Sequence, residues 1–473
     1  MLDRWLVLVT AILSVVLVLT DVANYTILKI VAVNESQKDD LRELDRLLGH
    51  QIDYLRKVRS TGQVAEMIIG KDELHFVQQF LTQKGILNEI STQNITQEIH
   101  RERRAVLDTS NGEITLDLIQ KKYLSFDDQT LLLFQMAKNS HNLLKYGRWQ
   151  HQARVIGYAS VSKKPILWID AGIHAREWIA HSTALNIIWK LVHDSSYKTL
   201  LSQLDVIVVP NTNPDGYEYS RRRNRLWRKT RSKQTVSRYS DQCSGVDGNR
   251  NYPFHFGEEG VSHWPCQEIY CGPRAMSEPE VMGVVSAIME RKNETKGYIA
   301  LHSFGQDILY PWGHKINEYP PDVEDLRAMA HGIAAAIRTV YGTKYQVSNS
   351  AAGLYPASGA ADDWAKSIGI KYSFTFELSP TSIEPGFVLP EAHIPRVSRE
   401  IMEGVIYMAK RLCVEEAGRL LNDMILSRPY QKELKSQRIG KDIFATDTVV
   451  DQTKFILATV YKLSKLDHER KSS

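Results

Sequence analysis

The sequence predicts an α/β fold, arranged as an α/β/α sandwich, over about residues 107–413. Three apolar runs have the length and pattern of strands, at residues 166–170, 297–302 and 371–378. Stretches with the apolar spacing of helices separate these runs, and strands that alternate with helices form a sheet covered by helices. At 473 residues, of which 43% are hydrophobic, the chain is long enough for two or three domains with a sizeable core.

The first run is followed by a tight turn and then by a helix that extends to about His193. The turn carries His174 and Glu177. Imidazole and carboxylate groups are ordinary zinc ligands, and a catalytic zinc site has three protein ligands and one open position. Two candidate ligands are therefore local, and a third must come from a distant part of the chain.

The other two runs supply a third ligand and a base. The second run ends in His302, and the third places Glu377 among aromatic and apolar neighbours, where a carboxylate needs a specific role. Taken singly, each residue has a structural interpretation, because Arg176 could neutralise Glu177 and Glu377 could pair with a cation. Ligands of open α/β sheets bind beyond the carboxyl ends of the strands. The combination therefore favours a metallopeptidase.

These motifs resemble those of the pancreatic carboxypeptidase A/B family of secreted zinc metallocarboxypeptidases. The matching segments are His174-Ala-Arg-Glu177-Trp, Leu301-His302-Ser303 and Phe-Thr-Phe-Glu377-Leu, and the similarity extends over about residues 123–413. The resemblance implies a mixed central sheet and one zinc ion, held by His174, Glu177 and His302. It also implies that single C-terminal residues are removed from peptides and proteins, with Glu377 as the general base toward a zinc-activated water.

Further segments resemble the substrate-binding parts of that family, at residues 224–231, 245–251 and 352–359. By this resemblance Arg228 polarises the scissile carbonyl. The resemblance also implies substrate-binding roles, most of them at the terminal carboxylate, for Asn249, Arg250, Tyr355 and Arg176. A guanidinium group suits this role because its paired donors fit a carboxylate.

The side-chain preference depends on Asp362, which by the resemblance forms the floor of the pocket for the C-terminal side chain. An acid at this position marks the B-type enzymes, which remove Lys or Arg. Two alternatives stay open. One is an A-type enzyme with an apolar or aromatic preference, and the other is that Asp362 or the adjacent Asp363 belongs to a surface turn or is mainly structural.

The basic run at residues 221–229 interleaves arginines with Trp227, a pattern found in nucleic-acid-binding proteins. The composition of the whole chain argues against that function, because it has 59 Lys and Arg residues and 55 Asp and Glu residues, which gives a net charge of only +4. We therefore expect no nucleic-acid partner and a partly solvated loop, with Arg228 as the exception. A noncatalytic relative that binds C-terminal tails is a further alternative.

The N-terminus predicts export. Residues 6–19 are apolar apart from Thr10 and Ser14 and follow Arg4, which is typical of a signal peptide, here residues 1–23. An uncleaved anchor is the alternative. Four triplets match the glycosylation pattern and begin at Asn24, Asn34, Asn94 and Asn293. We expect a secreted, extracellular protein with no stable membrane association.

The resemblance places a disulfide between Cys243 and Cys266, which an oxidising compartment allows. Cys271 and Cys413 could pair or remain free. Two departures from the family are Phe304, where a tyrosine is common, and Ser379-Pro380, where many relatives carry an arginine and an acid. We expect both departures to alter the rim of the cleft.

Residues 24–104 resemble the activation propeptide of the same family and precede a catalytic domain at 105–413. Residues 74–81 have helical spacing and residues 85–90 predict a strand, so a small α+β domain is expected. The resemblance implies that this domain covers the cleft in cis until a trypsin-like or basic-pair protease cuts after Arg104. Residues 414–473 form a C-terminal extension to which we assign no role.

Overall fold

The structure is a computed structural model, and it describes residues 25–48, 52–56, 61–91, 99, 114–140, 144–146, 154–156, 163–233, 243–381 and 386–426. The expected signal peptide at 1–23 and the activation site at Arg104 lie outside these residues. So do Asn24, Asn94 and most of the C-terminal extension.

The N-terminal part forms a small α+β unit, as expected. Its elements are β1 (Tyr25–Val31), α1 (Glu35–Leu48), β2 (Ile52–Arg56), β3 (Val64–Gly70), α2 (Lys71–Gln83) and β4 (Leu87–Ile90). The strands pair antiparallel in the order β2-β3-β1-β4. Met67 and Ile69 of β3 contribute to the core beneath the two helices, whereas Ile68 faces away from it, because successive strand residues point to opposite faces.

The larger part follows in this order: α3 (Leu116–Lys121), α4 (Phe126–Asn139), β5 (Leu144–Tyr146), β6 (Arg154–Ile156), β7 (Ile166–Ala171), α5 (Trp178–His193), α6 (Lys198–Gln203), β8 (Asp205–Val209), α7 (Pro214–Arg222), α8 (Pro279–Glu290), β9 (Thr295–Ser303), β10 (Asp307–Tyr310), α9 (Val323–Tyr341), β11 (Gln346–Asn349), α10 (Ser350–Gly353), α11 (Ala361–Ser367), β12 (Tyr372–Leu378) and α12 (Ile394–Leu426). Short 3-10 turns occupy Ser195–Tyr197, Gly248–Arg250 and Glu391–His393.

These strands form one mixed sheet in the order β11-β10-β12-β9-β7-β8-β6-β5. The four central strands β12, β9, β7 and β8 are parallel. The antiparallel pairs are β10 with β12, β6 with β8, and β5 with β6. The predicted mixed sheet is therefore confirmed.

Helices cover both faces of this sheet. Leu167 and Ile169 of β7 pack in a cluster with α5, α9 and α12. Ile166 and Trp168 point to the opposite face and pack against α8 and α11. This alternation gives the predicted α/β/α sandwich.

The three strands predicted from apolar runs are present as β7, β9 and β12. The helix predicted to end near His193 is α5. The last helix, α12, continues past Cys413 to Leu426, so the first residues of the C-terminal extension prolong it. None of the helices in the described ranges combines the length and hydropathy needed to cross a bilayer.

Candidate functional site

His174, Glu177 and His302 meet at the carboxyl ends of the central strands. His174 and Glu177 lie between β7 and α5, and His302 lies near the end of β9. The Nδ1 atom of His174 is 2.8 Å from Glu177 Oε1, and the Nδ1 atom of His302 is 3.0 Å from Glu177 Oε2. The two Nδ1 atoms are 3.1 Å apart. All three side chains are buried, and their ligand atoms lie within 4.8 Å of one another.

This donor set fits a zinc ion. Two imidazole nitrogens and a carboxylate converge, an arrangement that a shared cation would stabilise, and three protein ligands are the number found in catalytic zinc sites. Burial alone would raise the pKa of Glu177, but His174 and His302 lower it well below its usual range. The group is therefore held as a carboxylate, the form that binds a metal.

Asp247 contacts two of the candidate site residues and was not identified from the sequence. Its Oδ1 atom is 3.0 Å from His174 Nε2, and its Oδ2 atom accepts hydrogen bonds from Arg228 Nε at 3.0 Å and Nη2 at 2.8 Å. Burial opposes the charge on Asp247, but Arg228 and His174 hold its pKa well below the usual range. A carboxylate on the outer nitrogen of a metal-ligating histidine fixes the tautomer and the ring orientation. The only signal in the sequence was its place two residues before Asn249.

Glu377 lies beside the metal group. It pairs in register with His302 across β12 and β9, and in a parallel sheet such neighbours face the same side. Burial raises the pKa of Glu377 to about 8, with His302 opposing this effect and Glu177 and Asp307 adding to it. The carboxyl group therefore lies in an environment suited to accepting a proton.

Arg250 and Asn249 are positioned by the 3-10 turn at Gly248–Arg250. Arg250 donates from Nε to Gly260 O at 2.9 Å and from Nη1 to Asn249 O at 2.7 Å, and these bonds orient the guanidinium group. Asn249 accepts a hydrogen bond from Ala361 N through Oδ1 at 2.9 Å. Because its Oδ1 atom already accepts this bond, the NH₂ group of Asn249 is the part of the side chain that can donate to a ligand.

Tyr355 belongs to a loop held against the Arg250 region. Its ring centre is 5.9 Å from the Arg250 Cζ atom. Gly260 allows this approach, because a Cβ atom there would come within 1.6 Å of Pro356 O. The same glycine has a φ of +70°, which other residues rarely adopt.

Arg176 contacts Glu268, another cavity residue that the sequence did not reveal. Arg176 Nη1 is 3.7 Å from Glu268 Oε2 and donates to Leu226 O at 3.3 Å. Its guanidinium carbon lies 4.2 Å from the centre of the Phe387 ring. These contacts place Arg176 in the wall of the cleft.

Asp362 and Asp363 are both buried in α11, so the alternative of a surface turn is wrong. Asp363 accepts hydrogen bonds from Gly313 N at 2.7 Å and from His314 N at 2.8 Å, which is a structural role. Asp362 accepts a hydrogen bond from Ser350 Oγ at 3.1 Å. Burial and the neighbouring Asp363 raise the pKa of Asp362 to about 6.

One cavity of about 1330 Å³ joins these residues. It is lined by every predicted metal, catalytic and substrate-binding residue, namely His174, Arg176, Glu177, Arg228, Asn249, Arg250, His302, Tyr355, Asp362 and Glu377. Gln63 and Val64 of the N-terminal unit also line it. The site therefore lies beneath the N-terminal unit.

Hydrophobic contacts join the two units at the mouth of this cavity. Ile27 and Ile68 of the N-terminal sheet cluster with Leu226 and Val388, and Phe304 packs at its edge. Tyr25, also in the N-terminal sheet, donates from its hydroxyl to Asn224 Oδ1 at 3.3 Å.

Of the two departures from the family pattern, Phe304 lines the cavity, whereas Ser379 does not but contacts the cavity residue Gln306. The Phe304 ring packs 4.9 Å from the Phe387 ring, measured between centroids. Ser379 accepts a hydrogen bond from Gln306 Nε2 at 2.8 Å and donates to Glu400 Oε1 at 3.1 Å. Both residues are thus fixed by local packing and hydrogen bonds.

Cys243 and Cys266 form the expected disulfide, and Cys271 and Cys413 are buried and free.

The expected solvated loop at 221–229 is wrong for several residues. Arg221 and Arg225 are buried because they donate to backbone carbonyls, Arg221 to Tyr123 O at 2.7 Å and Arg225 to Arg176 O at 2.8 Å. Arg225 also lies over the Trp178 ring at 3.7 Å.

Two family profiles match the chain. The zinc carboxypeptidase profile matches residues 125–404, and the carboxypeptidase activation peptide profile matches residues 28–102. Carboxypeptidase A1 of Bos taurus is 32% identical over 413 residues, which cover 85% of this chain and 97% of that protein. Carboxypeptidase B of Astacus astacus is 44% identical over 248 residues, or 52% of this chain and 80% of that protein.

Solved structures give the same result. Carboxypeptidase A from Helicoverpa armigera matches with a TM-score of 0.74 at 25% identity, over 83% of this chain and 98% of that one. Thrombin activatable fibrinolysis inhibitor matches with a TM-score of 0.73 at 25% identity, over 82% of this chain and 99% of that one.

Proposed function

The chain belongs to the zinc carboxypeptidase family, hydrolases that act on peptide bonds, and we propose that it is a latent exopeptidase that removes C-terminal Lys or Arg residues. The observation that carries this proposal is the single cavity in which the metal group, Glu377, Arg228, Arg250 and Asp362 meet. Each of these groups suits one part of the reaction.

We assign recognition of the substrate's C-terminal carboxylate to Arg250, Asn249 and Tyr355. Backbone carbonyls already orient the Arg250 guanidinium group, and such a fork binds a carboxylate through two parallel hydrogen bonds. Asn249 adds its amide donor, and Tyr355 closes over the substrate from its loop. A free terminal carboxylate therefore fixes which peptide bond lies beside Glu377.

His174, Glu177 and His302 would hold the zinc ion. When bound, zinc lowers the pKa of a coordinated water to about 7 and stabilises negative charge on the substrate carbonyl. Glu377 accepts the proton from the attacking water and passes it to the leaving amine. Arg228 stabilises the charge that develops on the carbonyl oxygen, and loss of such a donor typically costs about 10² to 10³ in rate.

The proposed preference for Lys or Arg is supported by the burial of Asp362. This carboxyl group is 3% exposed and lines the cavity. A basic side chain that reached it would form a desolvated, hydrogen-bonded ion pair, which an apolar side chain cannot do. Relatives named carboxypeptidase A and relatives named carboxypeptidase B both match the chain. Because these names do not decide between the two preferences, the proposed preference for Lys or Arg rests on Asp362.

Latency is supported by the position of the N-terminal unit over the cavity. Gln63 and Val64 occupy part of its wall, and the Ile27 and Ile68 contacts hold the sheet against the rim. We propose that residues 24–104 act as the propeptide and that a trypsin-like or basic-pair protease cuts after Arg104. Residues 105–413 would then form the active domain.

Secretion is supported by the disulfide between Cys243 and Cys266 and by the N-terminal apolar segment. Two of the glycosylation triplets lie in described residues. Asn34 and Asn293 are both exposed, although the Asn34 side chain also caps α1 by accepting from Gln37 N at 2.9 Å.

The proposal is tested by activating the protein after Arg104 and measuring release of C-terminal Lys, Arg, Phe and Leu from matched peptides. We expect release of Lys and Arg that a zinc chelator abolishes, and an Asp362→Asn variant should lose this selectivity. Release of Phe or Leu instead would favour an A-type enzyme. No release from folded, zinc-loaded protein would favour a noncatalytic relative that binds C-terminal tails.

A further inference from the structure

His314 is a buried histidine whose two ring nitrogens both face carboxylates. Its Nδ1 atom is 3.1 Å from Asp363 Oδ2, and its Nε2 atom is 3.0 Å from Glu318 Oε2. Lys315 pairs with the other oxygen of Glu318 at 2.6 Å. An ionised carboxylate only accepts hydrogen bonds, whereas a neutral imidazole has a single N–H. Both contacts of the ring are therefore satisfied only when both nitrogens are protonated, and His314 is held as a cation.

The other neighbours of the ring support this charge. His255 stacks on His314 with ring centroids 3.9 Å apart and planes 3° apart, and its own Nδ1 atom lies 2.7 Å from Glu258 Oε2. A carboxylate thus faces each of the two stacked rings. Burial alone would lower the pKa of His314, but hydrogen bonds and charge interactions with Asp363 and Glu318 raise it.

Asp363 stands next to Asp362, and both side chains are buried in the first turn of α11. Asp363 is stabilised as a carboxylate, because it accepts hydrogen bonds from Gly313 N and His314 N in addition to the His314 ring. Asp362 accepts from Ser350 Oγ at 3.1 Å, and no described cation forms an ion pair with it. The like charge of Asp363 therefore acts on Asp362 unless a nearby cation offsets it.

We propose that His314 is a positioning residue for the pocket floor: its positive charge offsets Asp363, so that Asp362 stays ionised and selects Lys or Arg. This inference rests on the proposed preference for those residues. His314 does not line the cavity and acts on the substrate only through the two acids. Without its charge, two adjacent buried carboxylates would favour protonation of one member, and Asp362 is the more weakly bonded of the two.

The test measures the Lys preference as a function of pH, over about pH 5 to 8. The zinc-loaded protein cleaved after Arg104 is given peptides that differ only in a C-terminal Lys or Gln. The ratio of the two kcat/KM values reports the charge of Asp362, because proton transfer at Glu377 affects both peptides alike. Burial and Asp363 raise the pKa of Asp362 to about 6, so we expect this ratio to fall as the pH drops through about 6.

His314→Asn removes the charge and keeps a donor for Asp363. We expect the midpoint of the ratio to rise by roughly one pH unit, and the ratio near the original midpoint to fall about fivefold. His314→Lys restores a cation and should return the midpoint toward that of the unaltered protein. The control is His393→Asn, at an exposed histidine outside the cavity, which should leave the midpoint unchanged.

Two results would overturn the inference. One is an unchanged midpoint in His314→Asn, and the other is an equal midpoint in His314→Asn and His314→Lys, which would exclude charge as the cause. NMR of labelled carboxyl carbons in the full-length, zinc-loaded protein gives a second readout without turnover, with Asp362→Asn identifying the signal. If the unaltered protein shows no Lys preference, the proposed preference fails; a shifted Asp362 titration in His314→Asn would still support the action of His314 on Asp362, and an unshifted one would exclude it.

Discussion

At the residue scale, the site depends on carboxylates whose charge is set by their neighbours. Glu177 is held ionised by two histidines, Asp247 by Arg228 and His174, and burial raises the pKa of Glu377 to about 8. In the proposed mechanism, the same side-chain chemistry would therefore supply a metal ligand, a positioning group and a proton acceptor. Burial and the nearest cation decide which role each carboxylate takes.

Asp247 links the candidate metal site to Arg228, the group that we propose stabilises the carbonyl oxygen. Because it contacts both His174 and Arg228, Asp247→Asn should weaken zinc binding by about 10- to 100-fold and also lower kcat/KM of the zinc-saturated enzyme. Zinc affinity can be measured by competition with a chelator. The exposed Asp215→Asn is the control, and an unchanged zinc affinity in Asp247→Asn would show that Asp247 does not position His174.

At the element scale, the sequence predicted the strands that carry the site but not the contacts between them. His174, His302 and Glu377 could be recognised because each lies at or near the end of an apolar run. Asp247 could not be assigned in this way. Its contact with His174 joins residues that lie 73 positions apart in the chain.

Burial of the arginines before Arg228 was also missed, for a related reason. A short basic run that also contains Trp227 predicts a partly solvated loop, yet Arg221 and Arg225 donate to carbonyls of distant segments. Hydrogen bonds of this kind compensate burial of a guanidinium group. They become visible only when the segments that supply the carbonyls are in place.

Helix α8 contains a buried acid that should make stability depend on pH. Glu280 is in its first turn, burial raises its pKa from 4.5 to about 7, and its Oε2 atom has no hydrogen-bond partner within the described ranges. The folded protein therefore holds this proton more tightly than the unfolded chain does. Stability from this group is greatest below about pH 4.5 and is lost as the pH rises to about 7.

We expect Glu280→Gln to stabilise the protein at pH 8 by an amount on the order of 2 kcal/mol and to have little effect at pH 5. Thermal unfolding at the two pH values measures this difference. Glu290→Gln, an exposed position in the last turn of the same helix, is the matched control. An equal gain at both pH values would exclude ionisation of Glu280 as the cause.

At the scale of the whole molecule, the N-terminal unit and the larger domain are arranged as a lid and a cleft. Ile68 packs on the rim residues Leu226 and Val388, whereas its neighbours Met67 and Ile69 face the core of their own unit. One face of β3 therefore packs in the core of the lid, and its other face attaches the lid to the larger domain.

Ile68→Ser should loosen the lid without removing its core. We expect activity of the uncut protein to rise by about tenfold, because the variant loses a buried aliphatic contact worth a few kcal/mol. The control is Leu87→Ser, at a residue in the same sheet that is 65% exposed. Unchanged activity of uncut Ile68→Ser, together with normal activity after cleavage, would indicate that this contact does not maintain latency.

We expect the processed protein to remove one residue at a time from a free chain end. The most direct measurement follows a single peptide ending in Lys, as the free acid and as the C-terminal amide, by mass spectrometry with the processed protein and its Glu377→Gln variant. We expect stepwise loss of single residues from the free acid, little loss from the amide, and a rate at least 10²-fold lower for Glu377→Gln at unchanged zinc content. Equal cleavage of the acid and the amide, or full activity without Glu377, would contradict it.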